Sequence, residues 1–385
     1  MHVNELLKAA VQHGASDLHV KVGSVPMMRV RGALTPVPET IRLTHEDTVA
    51  IAATLLPVPL RERFKETLEV DLAYTVPGLG RFRCSIFQQR GSIGLVLRVI
   101  PSVIRVIDEL SLPPVLKKIA EEERGLILVT GTTGSGKSTT LAAMVDHINR
   151  TRCSHVMTIE DPIEFLHRDN KSIVNQREVP TDTRSFASAM RSVLRQDPDV
   201  ILVGEMRDLE TVETALLAAE TGHLVMSTLH TLDATETINR IITVFPPHQQ
   251  KQIRLQLASV LKAIISQRLV PRADAQGRCP AVEVLVSTPL IRDYIVDKDR
   301  THMIQGAIAV GTSQYGMQTF DQSLLGLLRR NLVSLEEALR WVTNVDEFKL
   351  KVQGISSSGD EAQQKMARDV VGVEAPPPEV TRFNR

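Results

Sequence analysis

The nine residues "GTTGSGKST", Gly131 to Thr139, restrict this chain more than any other stretch of it. They match the pattern G-x-x-x-x-G-K-[S/T] and lie between the apolar run "LILVT" and the helical run "TLAAMVDHINR". A strand, a glycine-rich loop and a helix in that order are the setting in which the pattern binds phosphate. Its glycines let backbone N–H groups turn inward, and the following helix adds the positive end of its dipole. The candidate binding residues are therefore Thr133, Gly134, Ser135, Gly136, Lys137, Ser138 and Thr139. Lys137 is expected at the β- and γ-phosphates, and the Ser138 hydroxyl in the shell of a Mg²⁺ ion. The ligand is ATP or GTP.

From about Val115 to Val345, apolar strands alternate with longer helical stretches, which predicts an α/β domain on a mainly parallel sheet. The strand candidates are "LILVTG", "HVMTIE", "VILVGE" and "HLVMSTLH". Ligands gather at the carboxyl ends of such strands, so the residues there are site candidates. "DPDVILVGEMRD" ends a strand at Gly204 and Glu205. Many such sheets carry two carboxylates at this point, whereas here Glu205 stands alone as the metal-side acid. A further carboxylate must orient the attacking water. "TIEDPIEF" supplies Glu160, Asp161 and Glu164 at another strand end, expected beside the γ-phosphate rather than in solvent. In "TGHLVMSTLHT", His223 opens an apolar run and His230 closes it, seven residues apart and so on opposite faces of a regular strand. His230 reads as a γ-phosphate sensor. His223 stays open between a core and a site role.

Residues 1–100 read as a small α+β domain: an opening helix, the strand "SDLHVKV", then "MMRVRG" with hairpin punctuation at Gly32, and helical spacing from Glu46 to Leu68. In "GRFRCSIF" the two-residue period puts Phe82, Cys84 and Ile86 on one face and Arg81, Arg83 and Ser85 on the other. "GLVLRVIP" places Arg98 near the end of another strand. Residues 101–114, bracketed by prolines, read as a linker, and 346–385 as a polar, disordered tail.

Lys+Arg balances Asp+Glu at 45 each, and only 3% of residues are aromatic, with one Trp and three Tyr. A nucleic-acid translocase needs a basic groove and stacking aromatics, so no nucleic-acid partner is expected. No apolar run reaches the ~20 residues of a membrane span, and the N-terminus lacks a secretory signal layout, which predicts a cytoplasmic protein. Cys84, Cys153 and Cys279 are widely separated, form no C-x-x-C pair, and read as small core residues.

In order and spacing these segments resemble the secretion ATPase superfamily, and within it the type IV pilus retraction (twitching-motility) motors. The resemblance covers about residues 1–345: "GASDLHVKVGSVPMMRVRG", "GRFRCSIFQQRG", the phosphate loop, "EDPIEF", "DPDVILVGEMRD", "TGHLVMSTLHT" and "RIITVFPPHQQKQIRLQLASVLKAIISQRLVP". It implies a PAS-like N-terminal domain before a RecA-like motor domain, assembled as a homo-hexamer that couples ATP hydrolysis to pilin depolymerisation. The motor would sit peripherally at the inner membrane, against the platform protein of the pilus machine. By resemblance Glu164 activates water, Glu205 supports Mg²⁺, His223 and His230 form a histidine box, and Arg81, Arg83 and Arg98 contact nucleotide phosphates. Assembly and type II secretion motors generally carry longer N-terminal regions and a four-cysteine zinc insertion, both absent here. One departure lies at "LIRDYIVD", residues 290–297, where Val296 replaces the second arginine of the retraction-motor pattern. An accessory paralogue, acting beside a second retraction ATPase, is therefore the alternative.

Overall fold

The computed structural model describes residues 2–101, 103–275 and 277–353. Thirteen strands are found among them. The first six are β1 (Asp17–Lys21), β2 (Met27–Val30), β3 (Ala33–Pro36), β4 (Glu69–Val76), β5 (Gly80–Gln89) and β6 (Ser92–Ile100). The others are β7 (Gly125–Thr130), β8 (His155–Glu160), β9 (Ile173–Glu178), β10 (Val200–Val203), β11 (Leu224–Leu229), β12 (Leu261–Pro271) and β13 (Arg278–Val286). By contact the chain divides into two units. One is Met1–Val106 with Ala142–Gly204, the other Ile107–Leu141 with the chain from Glu205 onward. This division differs from the expected 1–100 and 115–345, because β8, β9 and β10 group with the N-terminal sheet.

In the first unit, the opening helix Val3–Gln12 buries Val3, Leu6, Leu7 and Ala10, whose spacing of three and four residues puts them on one stripe. It covers an antiparallel sheet of order β3-β2-β1-β6-β5-β4. The hairpin expected at Gly32 joins β2 to β3, with Gly32 at φ +86°. The helical spacing expected from Glu46 to Leu68 splits into His45–Leu55 and Val58–Thr67. Pro57 explains the break: the residue before a proline is pushed out of the α region, and Leu56 is extended. Thr44 and Asp47 close a reciprocal capping box at the start of the first helix.

On β5 the predicted alternation holds, with Phe82, Cys84 and Ile86 buried in the sheet's core. Ladder register then sets a row across the other face. Arg83 lies opposite Arg98 on β6, Arg98 opposite Asp17 on β1, and Asp17 opposite Arg29 on β2. In the same unit β10 and β9 both pair in parallel with β8.

The second unit contains the run β13-β12-β7-β11, with β12 and β11 parallel to β7 and β13 antiparallel at the end. Every residue of β7 is buried, as in strands covered on both faces. A smaller core forms around Val270, Cys279, Phe320, Leu324, Leu327 and Phe348. Phe348 belongs to the helix Val345–Val352, so the structure corrects the tail expected from 346: its apolar residue is buried, and order extends at least to Gln353. Residues 354–385 lie outside the described residues. Phe348→Ala should cost about 3–5 kcal/mol, as truncations of buried aromatics do. Urea unfolding checks this, and an unchanged midpoint would remove Phe348 from the core. One more expectation is corrected: Cys84 and Cys279 are buried, but Cys153 is exposed beyond the helix Lys137–Thr151.

Candidate nucleotide site

The phosphate loop sits between β7 and the helix Lys137–Thr151, as the motif demands. Gly131 has φ +140°, and a Cβ there would lie 2.4 Å from the Gln267 carbonyl oxygen. Only glycine fits this approach of loop to β12. Gly134 and Gly136 also have positive φ, +78° and +95°. The Lys137 side chain is buried, and its Nζ donates to the carbonyls of Gly131 at 2.7 Å and Thr132 at 3.0 Å. The ammonium is thus held across the loop. Thr133 and Gly134 are exposed, and Ser138 and Thr139 half-buried. Ser135 is buried with its Oγ unpartnered, a donor available within the cradle.

Sequence reasoning missed the floor of this loop. Gln267 is buried on β12, donates Nε2 to Thr140 Oγ1 at 2.7 Å and leaves Oε1 unpartnered. The only signal for it was a polar residue within the apolar pattern of "AIISQRLV".

Glu205 follows β10. The Met206 N–H bonds the Thr228 carbonyl on β11, which aligns Glu205 with the end of that strand and so with His230. His230 Nε2 is 3.2 Å from Glu205 Oε1, and Arg207 Nε is 2.7 Å from the same oxygen. Burial opposes ionisation of Glu205, but the Arg207 hydrogen bond and the His230 and Arg207 charges outweigh it, holding the carboxyl below its ordinary value. A group so lowered stabilises the fold above the ordinary carboxyl range, and that contribution disappears as pH falls through the lowered value. Glu205→Gln should therefore lose less urea stability than the native protein between about pH 5 and pH 3. An identical acid slope in both proteins would refute the assignment. His223 stands elsewhere. Its ring Nδ1 is 3.0 Å from the Ala218 carbonyl, at the end of the helix Leu209–Glu220. Both histidines lie just outside β11, so the expected placement on opposite strand faces does not arise.

The acidic box belongs to the first unit, and its three carboxylates differ. Glu160 ends β8 half-buried, with Oε1 accepting from Thr158 Oγ1 at 2.6 Å and Gln176 Nε2 at 3.0 Å. Burial pushes its carboxyl up, against hydrogen bonds from Thr158, Gln176 and the Glu164 N–H. Asp161 and Glu164 are exposed. Gly204, where a second carboxylate was absent from sequence, packs closely: a Cβ would come within 3.2 Å of the Ile159 carbonyl.

The three arginines also separate. Arg81 does not face water: its Nη2 pairs with the buried Glu178 at 3.1 Å. Arg98 is largely exposed and pairs through Nε with Asp17 Oδ1 at 2.9 Å. Arg83 makes no ion pair among the described residues, and it lines a cavity of about 380 Å³ with Arg63, Asp71, Asp161 and Glu178. Glu178 was not singled out from sequence, although it ends β9 in register with Glu160.

The model of the family described as "Type II/IV secretion system protein" matches residues 80–340. The type IV pilus retraction ATPase PilT of Pseudomonas aeruginosa is 46% identical, over 88% of this chain and 97% of its own. The type IV pilus ATPase PilU of the same organism is 41% identical, over 94% of each chain. Among solved structures, the pilus retraction motor PilT with bound ADP superposes with a TM-score of 0.82 at 46% identity, covering 90% of this chain and 98% of that one. The ATPase DotB of Legionella pneumophila gives 0.75 at 27% identity, covering 92% and 96%.

Proposed function

The chain belongs to the type II/IV secretion system protein family, and on that premise we propose that it is the ATP-hydrolysing motor of type IV pilus retraction. Its near full-length likeness to PilT carries the reading, and the complete phosphate loop supports it. Its fold is α/β, an N-terminal α+β sheet domain followed by a RecA-like motor, with residues 1–100, a linker at 101–114 and a motor at 115–345 as the functional division. The cradle without room for a Cβ at Gly131 fits a phosphate chain.

Lys137 neutralises the β- and γ-phosphates. Ser138 and Glu205 hold Mg²⁺. One hydroxyl and one carboxylate suit this ion, which keeps several waters and takes further ligands from phosphates. When bound, it spreads the charge that develops on the γ-phosphoryl oxygens. Glu164 orients and deprotonates the attacking water. His230, in contact with Glu205, reports on the γ-phosphate, and His223 is the second histidine of the box, at the opposite end of β11. Arg81, Arg83 and Arg98 supply positive charge to the phosphates. The working form is a homo-hexamer, since head-to-tail contacts that close into a ring let neighbours share a site. Among the described residues no helix is long and apolar enough to cross a membrane. We place the ring in the cytoplasm against the inner-membrane platform protein.

A second reading has one observation in its favour. In "LIRDYIVD" Ile291 and Ile295 are buried, whereas Val296 is 41% exposed. The altered position is thus on the surface, where a partner contact would change and a core would not. An accessory motor beside a paralogous retraction ATPase is that reading. Deleting the gene and filming labelled pili tests both. Pili that extend and do not retract identify the principal motor, weakened retraction identifies the accessory one, and normal retraction sinks both.

A further inference from the structure

Glu178 ends β9 beside Glu160 at the end of β8, and it is only 3% exposed. A carboxylate buried this far has to be paired and hydrogen-bonded. One of its oxygens, Oε2, meets two donors: Arg81 Nη2 at 3.1 Å and the backbone N–H of Ile163 at 3.1 Å. The Glu178 backbone is fixed by a tight turn, its N–H donating to Asp182 Oδ2 at 2.9 Å and its carbonyl accepting from the Asp182 N–H at 2.7 Å. A single atom therefore joins the arginine of β5 to the backbone of Ile163, the residue directly before Glu164.

The arginine's seat is incomplete. Nη1 reaches only Thr75 Oγ1, at 3.3 Å, and Nε is buried without a partner. Guanidinium and carboxylate can form two parallel bonds. Here they form one. Leaving this seat breaks one charge-assisted bond, and phosphoryl oxygens would give the unpaired Nε an acceptor.

We propose that Glu178 is a positioning residue that couples Arg81 to the Glu164 segment, holding the arginine beside β9 while fixing the peptide that aims the base. This rests on the roles given above to Arg81 and Glu164. The coupling should appear as non-additivity, because the two side chains act through one oxygen.

The test uses the full chain as wild type, Arg81→Ala, Glu178→Ala, Glu178→Gln and the Arg81→Ala/Glu178→Ala double variant. Steady-state kcat and KM for ATP are measured beside amide exchange at Ile163. Glu178→Ala should lower kcat about tenfold with KM within about twofold, and the double variant should lose clearly less than the product of the two single losses. Ile163 should exchange faster in Glu178→Ala. Glu178→Gln retains an acceptor for that N–H but no charge, so it should keep Ile163 protected and fall between wild type and Glu178→Ala in kcat. Unchanged kcat in both Glu178 variants, losses that multiply in the double variant, or unchanged exchange in Glu178→Ala would each overturn the proposal. If Glu178→Ala fails to fold, the isosteric Glu178→Gln crossed with Arg81→Ala gives the same cycle. Exchange at Ile163 reads the structural link without reference to turnover, so it can succeed even where the catalytic assignments fail.

Discussion

Lys137→Ala should lower ATP turnover by on the order of 10³ or more, because transfer of a phosphoryl group depends on charge placed where charge develops. Lys137 is the only cation between Gly131 and Thr139. The backbone of the loop is set by its glycines and by the approach of Gly131 to Gln267, neither of which the substitution touches. Two carbonyls, those of Gly131 and Thr132, lose a donor. Thr132 is exposed and its carbonyl can be solvated, so the cost is mainly that of the buried Gly131 carbonyl, and melting should drop by no more than about 5 °C. Coupled-enzyme ATPase assays and a thermal melt on one preparation decide it. Turnover near the native rate would remove the loop from the active site.

Glu164→Gln should retain binding of ATP and Mg²⁺ while slowing hydrolysis by a factor on the order of 10², the usual cost of losing a positioned base. Glu164 is exposed and forms no ion pair among the described residues, so folding should be unaffected. Its neighbour Glu160 makes a useful contrast. That carboxyl is fixed by Thr158 and Gln176 and pushed up by burial, an acceptor anchored in place rather than a free base. Glu205→Gln should instead weaken the Mg²⁺-dependent step. Measuring kcat against Mg²⁺ concentration separates the two. Rescue of Glu164→Gln by added Mg²⁺, with none for Glu205→Gln, would require exchanging their roles.

The sequence made the phosphate loop, four parallel strands and the two faces of β5 legible because each is a local pattern. A glycine spacing, an unbroken apolar run and a two-residue alternation depend on neighbours along the chain. β9 escaped because "IVNQRE" carries four polar positions against two apolar ones and sits beside only one partner strand, β8. β12 and β13 form one long antiparallel pair whose apolar run reads equally well as helix. The acidic box was visible as a cluster, yet the difference between Glu160 and Glu164 arises from Gln176 on another strand. Likewise Arg81 looked like one of two equivalent arginines. Glu178, distant in sequence, makes them unlike. Periodicity finds faces, but it does not find partners.

The unequal burial of the three cysteines makes the chain suited to selective labelling. Thiol reagents attack the thiolate. Burial pushes the Cys84 thiol up to about 12 and raises that of Cys279 as well, so both are protonated as well as enclosed. Cys153 is exposed, just past the helix that begins at Lys137. A maleimide dye added to the native protein would therefore mark one place, the far end of the phosphate-loop helix, with no cysteine removed by mutation. Fluorescence from that place would follow the helix through the catalytic cycle.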